Sequence, residues 1–142
     1  MVEDTKSLNT KFEYRNSKQI SMSNIKNPKR YDLEERTLRF TKQVMHYVNR
    51  LPMTITNKEI GKQLIRSAGS VGANYIEANE ALGKRDFAMR IKISKKESKE
   101  ARYWLRISED SGQKEMQDLL IKESTELMSI FGAILKKLEI KI

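Results

Sequence analysis

The sequence predicts an all-α fold, an up-down-up-down antiparallel four-helix bundle, and three observations lead there. Four segments repeat their apolar residues at alternating steps of three and four, the period of one helix face. No segment sustains the every-second-residue alternation of a half-buried strand. The breaks between the four patterns are short, at Pro52, at Gly83 and at the "DSG" of 110–112. Short links make successive helices antiparallel neighbours. A chain of 142 residues is long enough to enclose one hydrophobic core.

Residues 1–30 are polar, rich in Ser, Asn and Lys, and show no steady apolar period. They read as a disordered or loosely docked basic arm, with Pro28 opposing a helix through it. The bundle domain is expected over 31–142. Its first helix spans about 32–50, with Asp32 as N-cap and an acidic first turn. Leu33, Thr37, Phe40, Val44, Tyr47 and Leu51 form its inner stripe.

The second helix is expected over about 56–82, opened by the "TNKE" capping box of Thr56 and Glu59 and closed at Gly83. Ile60, Leu64, Ala68, Val71, Tyr75, Ala78 and Leu82 share one face. The third, about 84–109, places Phe87, Ile91, Ser94, Ser98, Ala101 and Leu105 inward, widened by Ile93, Trp104 and Ile107. The fourth, about 112–139, carries Met116, Leu119, Leu120, Leu127, Ile130, Phe131, Ile134 and Leu138.

One stretch of the second helix, "RSAGSVGAN", is crowded with small residues. Glycine costs about 1 kcal/mol inside a helix relative to alanine, so a packing gain must offset it. The third helix is also thin at Ser94, Ser98 and Ala101. Two narrow waists around Gly69–Gly72 and Ser98, facing each other, let two backbones approach closely. A phosphate loop is disfavoured, because no strand precedes Gly69 and no GK[ST] follows Gly72.

The net charge is +9, unevenly spread. Residues 1–30 hold seven Lys/Arg against three acids, and residues 84–106 hold nine against three. Such an excess suits polyanionic partners, nucleic acid among them, and charge alone leaves a merely solubilising surface as the alternative. The chain has no cysteine, which removes disulfides and thiolate metal sites and suits a reducing cytoplasm. No apolar run reaches membrane-spanning length, and the first residues lack the apolar stretch of a signal peptide. No membrane association is expected.

Nothing in the sequence argues for catalysis. The only histidine is His46, with Gln43 three residues before it, so the Glu-x-x-His motif of di-iron bundles is missing. No serine has a plausible His–Asp relay. No catalytic residue, metal ligand or cofactor is assigned.

Two constellations remain. Arg66, Ser70, Asn74 and Glu77 form a polar stripe beside the apolar stripe of the second helix, and Glu97 and Glu100 flank the stripe of the third. If these faces meet, Arg66 and Asn74 are positioned to hydrogen-bond the carboxylates, a structural network that fixes helix register or a subunit contact. On the third helix Arg85, Lys92, Lys99 and Arg106 recur every seven residues, Lys95 and Arg102 add a neighbouring row, and Lys84 and Lys96 lie close by. Cations at this density suit a phosphate backbone, held by counterion release without base readout. Tyr103 and Trp104 add aromatic surface, although Trp104 falls on the core side.

Residues 63–107, "QLIRSAGSVGANYIEANEALGKRDFAMRIKISKKESKEARYWLRI", resemble the signature of the bacterial four-helix bundle family also called 23S ribosomal RNA intervening-sequence proteins. The pattern comprises Arg66, Ser67, Ser70, Val71, Asn74 and Glu77, a central Lys84, Asp86 and Phe87, then Lys96, Glu97, Glu100, Trp104 and Leu105. The resemblance implies a left-handed antiparallel bundle that assembles as a homopentamer around a central channel, without known catalytic activity. A related branch, the accessory protein of diversity-generating retroelements, works with a reverse transcriptase and its RNA through a basic surface. "NYIEANEAL" departs from the commoner "N-I-A-E-G" of the family, and the basic arm is an addition. The expected partners are therefore further copies of the chain and RNA, another nucleic acid, a reverse transcriptase or a nucleoprotein. The competing class is a protein–protein adaptor whose basic face meets an acidic partner.

Overall fold

The computed structural model describes residues 28–140. Among them are four helices: α1 (Pro28–Asn49), α2 (Ile55–Asn79), α3 (Lys84–Ile107) and α4 (Lys114–Ile140). Neighbours in sequence are neighbours in space, with α2 packed most extensively on α3 and α3 on α4, while α1 touches α4 least and closes the bundle. The fold is the all-α four-helix bundle expected, with no strand among the described residues.

All six residues of the expected α1 stripe are buried, from Leu33 to Leu51. They meet Leu64, Tyr75, Ile91, Leu105, Leu120, Leu127 and Phe131 in one cluster. A fully buried leucine or phenylalanine contributes roughly 1.5–3 kcal/mol, so this stripe-to-stripe contact dominates the stability. Tyr75 and Phe131 bridge α2 and α4 across the middle, with ring centroids 6.0 Å apart.

The helix ends differ from the sequence reading. α1 begins at Pro28, so Asp32 lies inside the helix and not at its cap. Proline is tolerated there because a first-turn N–H has no intrahelical acceptor to lose. The arm assigned to 1–30 falls, up to residue 27, outside the described residues. α2 starts two residues before the expected capping box: Thr54, not Thr56, is the N-cap and accepts from the Asn57 backbone N–H at 3.0 Å. Asn57 also donates through Nδ2 to the Pro52 carbonyl at 2.9 Å, which pins the link to the helix start.

α2 ends at Asn79, and Gly83 serves as the N-cap of α3 instead of closing α2. Leu82 consequently sits in the link, fully exposed and not in the core. Leu119 and Ile107 are also largely exposed, because each turns away from the buried face of its helix. The "DSG" turn behaves as expected, with Ser111 and Gly112 at positive φ and the Gly112 N–H bonded to the Asp110 carboxylate at 2.9 Å.

The small residues of α2 serve two neighbours. Ser94 of α3 donates to the Val71 carbonyl at 2.9 Å, a side chain reaching helix backbone, so that waist contact exists. The glycines, however, turn towards α1. A Cβ on Gly72 would lie 2.9 Å from Thr37 Oγ1, and one on Gly61 2.8 Å from Val48 Cγ1. Thr41 Oγ1 donates to the Ala68 carbonyl at 3.1 Å between them. Gly69 is a correction: a Cβ there would meet nothing within 4 Å, so Gly69 admits no helix of its own subunit.

Polar clasps close the remaining seams. Arg36 of α1 grips Glu123 of α4 through two bonds of 2.7 and 2.9 Å and reaches Glu126 at 2.7 Å. At one end of the bundle Tyr47 and Ser108 share a hydrogen bond of 2.7 Å. Gln117 donates to the carbonyls of Leu105 and Ser108, each at 2.9 Å, and Gln113 to that of Tyr47 at 3.0 Å. Gln113, just before α4, and Gln117 in its first turn thus add donors to carbonyls at the ends of α1 and α3, beside the Arg50 N–H at Tyr47 and the Ser108 hydroxyl at Leu105.

Candidate nucleic-acid interface

Helix α3 segregates its charges. With about 100° of turn per residue, Lys84, Arg85, Lys92, Lys95, Lys96, Lys99, Arg102 and Arg106 fall within an arc of roughly 120°. The three acids of α3 (Asp86, Glu97 and Glu100) fall on nearly the opposite side. The neighbours fix what each side faces. Arg102 Nη1 donates to Thr125 Oγ1 of α4 at 3.1 Å, and the Lys95 side chain lies over Gly132 of α4. The cationic arc therefore runs from the α3–α4 seam outward to solvent.

Seven of these eight side chains are exposed and Arg102 is half-buried. None of the eight forms an ion pair among the described residues. Their ammonium and guanidinium groups are left to water, which is the condition for counterion-mediated capture of a polyanion. The adjoining stripe of α4 adds Lys136, the uncharged Thr125, Ser129 and Gly132, and Asp118, which pairs with Lys114 at 3.3 Å. Tyr103, 57% exposed, stands on the outer side of α3 and packs edge-on against Trp104, ring centroids 5.1 Å apart. Trp104 is half-buried on the α2 side and donates to Glu100 Oε2 at 3.2 Å, which removes it from the cationic arc.

The polar stripe of α2 meets the acids of α3 in part. Arg66 pairs with Glu100 at 3.6 Å across an exposed stretch. Asn74 does not reach a carboxylate. Its Oδ1 accepts from Arg90 Nη1 at 3.0 Å and its Nδ2 donates to the Ser70 carbonyl at 2.9 Å. Glu77 is exposed, and its carboxylate makes no hydrogen bond or ion pair among the described residues. Glu97, only 9% exposed, keeps a buried Oε1 with no donor.

The sequence reading missed Arg90. Its signal was available: Arg90 lies seven residues before Glu97, on the acid-bearing side of α3 and outside the cationic arc. It also missed Arg36 and the Tyr47–Ser108–Gln117 clasp, whose residues are far apart in the chain. Among the described residues no three His, Asp or Glu side chains converge as metal ligands, and no helix is long and apolar enough to cross a membrane.

A bundle with one cationic flank defines a helical protein with a surface suited to docking. The family model of the 23S rRNA-intervening sequence protein matches residues 29–133, most of the bundle, and the chain belongs to that family. Among solved structures it is similar to a protein of unknown function from the S23 ribosomal protein family of Bacteroides thetaiotaomicron. The two are 28% identical, the match covers 72% of this chain and 97% of that one, and the TM-score is 0.63. The comparison with curated proteins gives no match.

Proposed function

We propose that the chain is a non-enzymatic, cytoplasmic, homo-oligomeric helical scaffold whose α3 cationic arc docks RNA or an RNA-containing nucleoprotein. The observation that supports this most is the charge segregation of α3, which gathers eight cations in one arc from the α4 seam to solvent and leaves them without carboxylate partners among the described residues. A surface meant only for solubility intersperses both signs. Assembly multiplies the effect: five copies of a +9 chain would carry about forty-five net charges, so weak contacts per subunit become multivalent.

The test titrates structured RNA, duplex DNA and an acidic polypeptide against the full chain at low and at physiological salt. The proposal expects RNA to bind at micromolar protein and to weaken steeply as salt rises. Binding of the acidic polypeptide alone would establish the adaptor reading in its place. Failure of any nucleic acid to bind at low salt would overturn the scaffold's RNA role.

A further inference from the structure

We infer that the outward edge of α3 is a stacking site for an unpaired nucleotide, whose base lies on Tyr103 and Ile107 while the surrounding cations hold the phosphates on either side. This deepens the RNA role of the proposed function and rests on that reading. It narrows the ligand to single strands and to the unpaired segments of structured RNA. Two observations of different kinds carry it. The first is where Tyr103 stands. It follows Arg85 by eighteen residues, five full turns of helix, so the two side chains share one direction. The phenol is therefore inside the cationic arc and not at its margin. Lys99 lies four residues before it and Arg106 three after it, the spacings of surface neighbours, with Lys96 one turn beyond Lys99. All three cations are exposed and form no ion pair among the described residues.

The second observation is apolar surface that the subunit itself does not use. Tyr103 is 57% exposed and Ile107, its neighbour at i+4, is 45% exposed. The contact of Tyr103 with Trp104 is T-shaped, which covers at most one face of the phenol. Trp104 is half-buried and held by its bond to Glu100, so the ring is braced on the α2 side and open to solvent on the other. A braced aromatic ring amid unpaired cations offers what a splayed-out base requires: a flat apolar platform with positive charge around it.

The other charges nearby do not oppose this. Glu100, three residues before Tyr103, is bonded to Trp104 and paired with Arg66 at 3.6 Å. Across the α2 seam Lys58, Lys62 and Arg66 outnumber Glu59. Asp118 of α4 is paired with Lys114, and Asp110 accepts from the Gly112 N–H, which leaves the exposed Glu109 past the end of α3. The balance around the platform is positive.

The platform selects unpaired nucleotides because in a duplex each base face is covered by the next base pair, and the major groove of A-form RNA is too deep and narrow for side chains to read. α3 is flanked by α2 and α4, so its outer edge alone meets a nucleic acid. A duplex would touch the cations and leave Tyr103 and Ile107 in water. A single strand can bend its backbone between Lys99 and Arg106, about 10.5 Å apart along the helix axis, and turn a base onto the ring.

The experiment is fluorescence anisotropy at low salt with three labelled probes of equal length: an RNA strand without self-complementarity, that strand annealed to its complement, and an abasic strand with the same phosphates and no bases. The full chain is used as wild type, Tyr103→Phe and Tyr103→Leu; leucine keeps an apolar side chain beside Trp104 but has no flat face. Wild type should bind the RNA strand about fivefold or more tightly than the abasic strand. Tyr103→Phe should match wild type. Tyr103→Leu should lose about fivefold or more for the RNA strand and nothing for the duplex or the abasic strand. No cation is altered, so the slope of log affinity against log salt should be the same for all three proteins. Circular dichroism melts confirm that the variants are folded, and the wild-type comparison of RNA with abasic strand stands whatever the variants do. Equal binding of those two strands by wild type would overturn the inference and leave the cationic arc standing. So would a Tyr103→Leu protein that binds the RNA strand as wild type does, or that loses as much for the abasic strand or the duplex. No binding of any probe would overturn both.

Discussion

Gly61, Gly69 and Gly72 are chemically identical and sit within twelve residues of one another on α2, yet their surroundings assign them different work. Gly72 lets Thr37 approach α2, and adding a methyl group there brings it to 2.9 Å from Oγ1 and 3.2 Å from Cβ of a buried side chain. Gly72→Ala should therefore lower the unfolding free energy by about 1–3 kcal/mol in urea titrations, the usual cost of overpacking. Gly69→Ala should leave the fold intact and raise the stability of the isolated subunit by up to about 1 kcal/mol. Tyr47 offers a pH test. Burial pushes its phenol above the ordinary value, against the opposing hydrogen bond with Ser108. The unfolded state then loses its proton first as pH rises. The contribution is fully present below about pH 10, the ordinary tyrosine value, and declines as pH climbs from there towards the raised folded value. Tyr47→Phe should flatten that alkaline part of a thermal-stability profile.

At the scale of the helices, the bundle is held by apolar stripes along its length and by side-chain bonds to backbone at its ends. Gln117 satisfies two carbonyls at the end of α3. Gln117→Leu keeps the volume but strands the Ser108 carbonyl and leaves that of Leu105 with the Ser108 hydroxyl alone, and should cost about 1–3 kcal/mol by chemical denaturation. Arg36 holds the slight α1–α4 contact, and the Glu123 hydrogen bond pushes its guanidinium still further above its already high value. Arg36→Met removes the clasp and leaves Glu123 beside Glu126, so stability should fall by about 1–2 kcal/mol, with part of the loss recovered at high salt as repulsion is screened.

The helical stripes were legible because burial on one face leaves a period in the sequence; all six α1 positions follow it. The helix ends were not. Thr54 and Thr56 both precede an acceptable first turn, and only the return bond of Asn57 to Pro52 decides between them. The cationic row of α3 could be read from its seven-residue spacing, but its position at the α4 seam depends on which neighbour lies on each side. The stranding of Glu97 was illegible for the same reason: Arg66 and Asn74 had the correct spacing to satisfy it and found other partners.

For the whole molecule, α3 divides its surface into two regions of opposite charge. Its carboxylates lie on the α2 side, and its unpaired cations run from the α4 seam out to solvent. Under the proposed scaffold, a variant that fails to assemble should bind RNA more weakly through lost multivalency while each subunit keeps its own cationic arc.

Salt sensitivity of RNA affinity puts the division of α3 to trial most directly, by fluorescence anisotropy of a labelled structured RNA. Wild type is compared with a variant carrying Lys92→Ala, Lys99→Ala and Arg106→Ala, three exposed positions that leave the core untouched. A plot of log affinity against log salt should become shallower by about 0.7–0.9 for every phosphate contact removed, with weaker binding throughout. Identical slopes for the two proteins would mean that the phosphates lie elsewhere and that the cationic flank of α3 does not hold them.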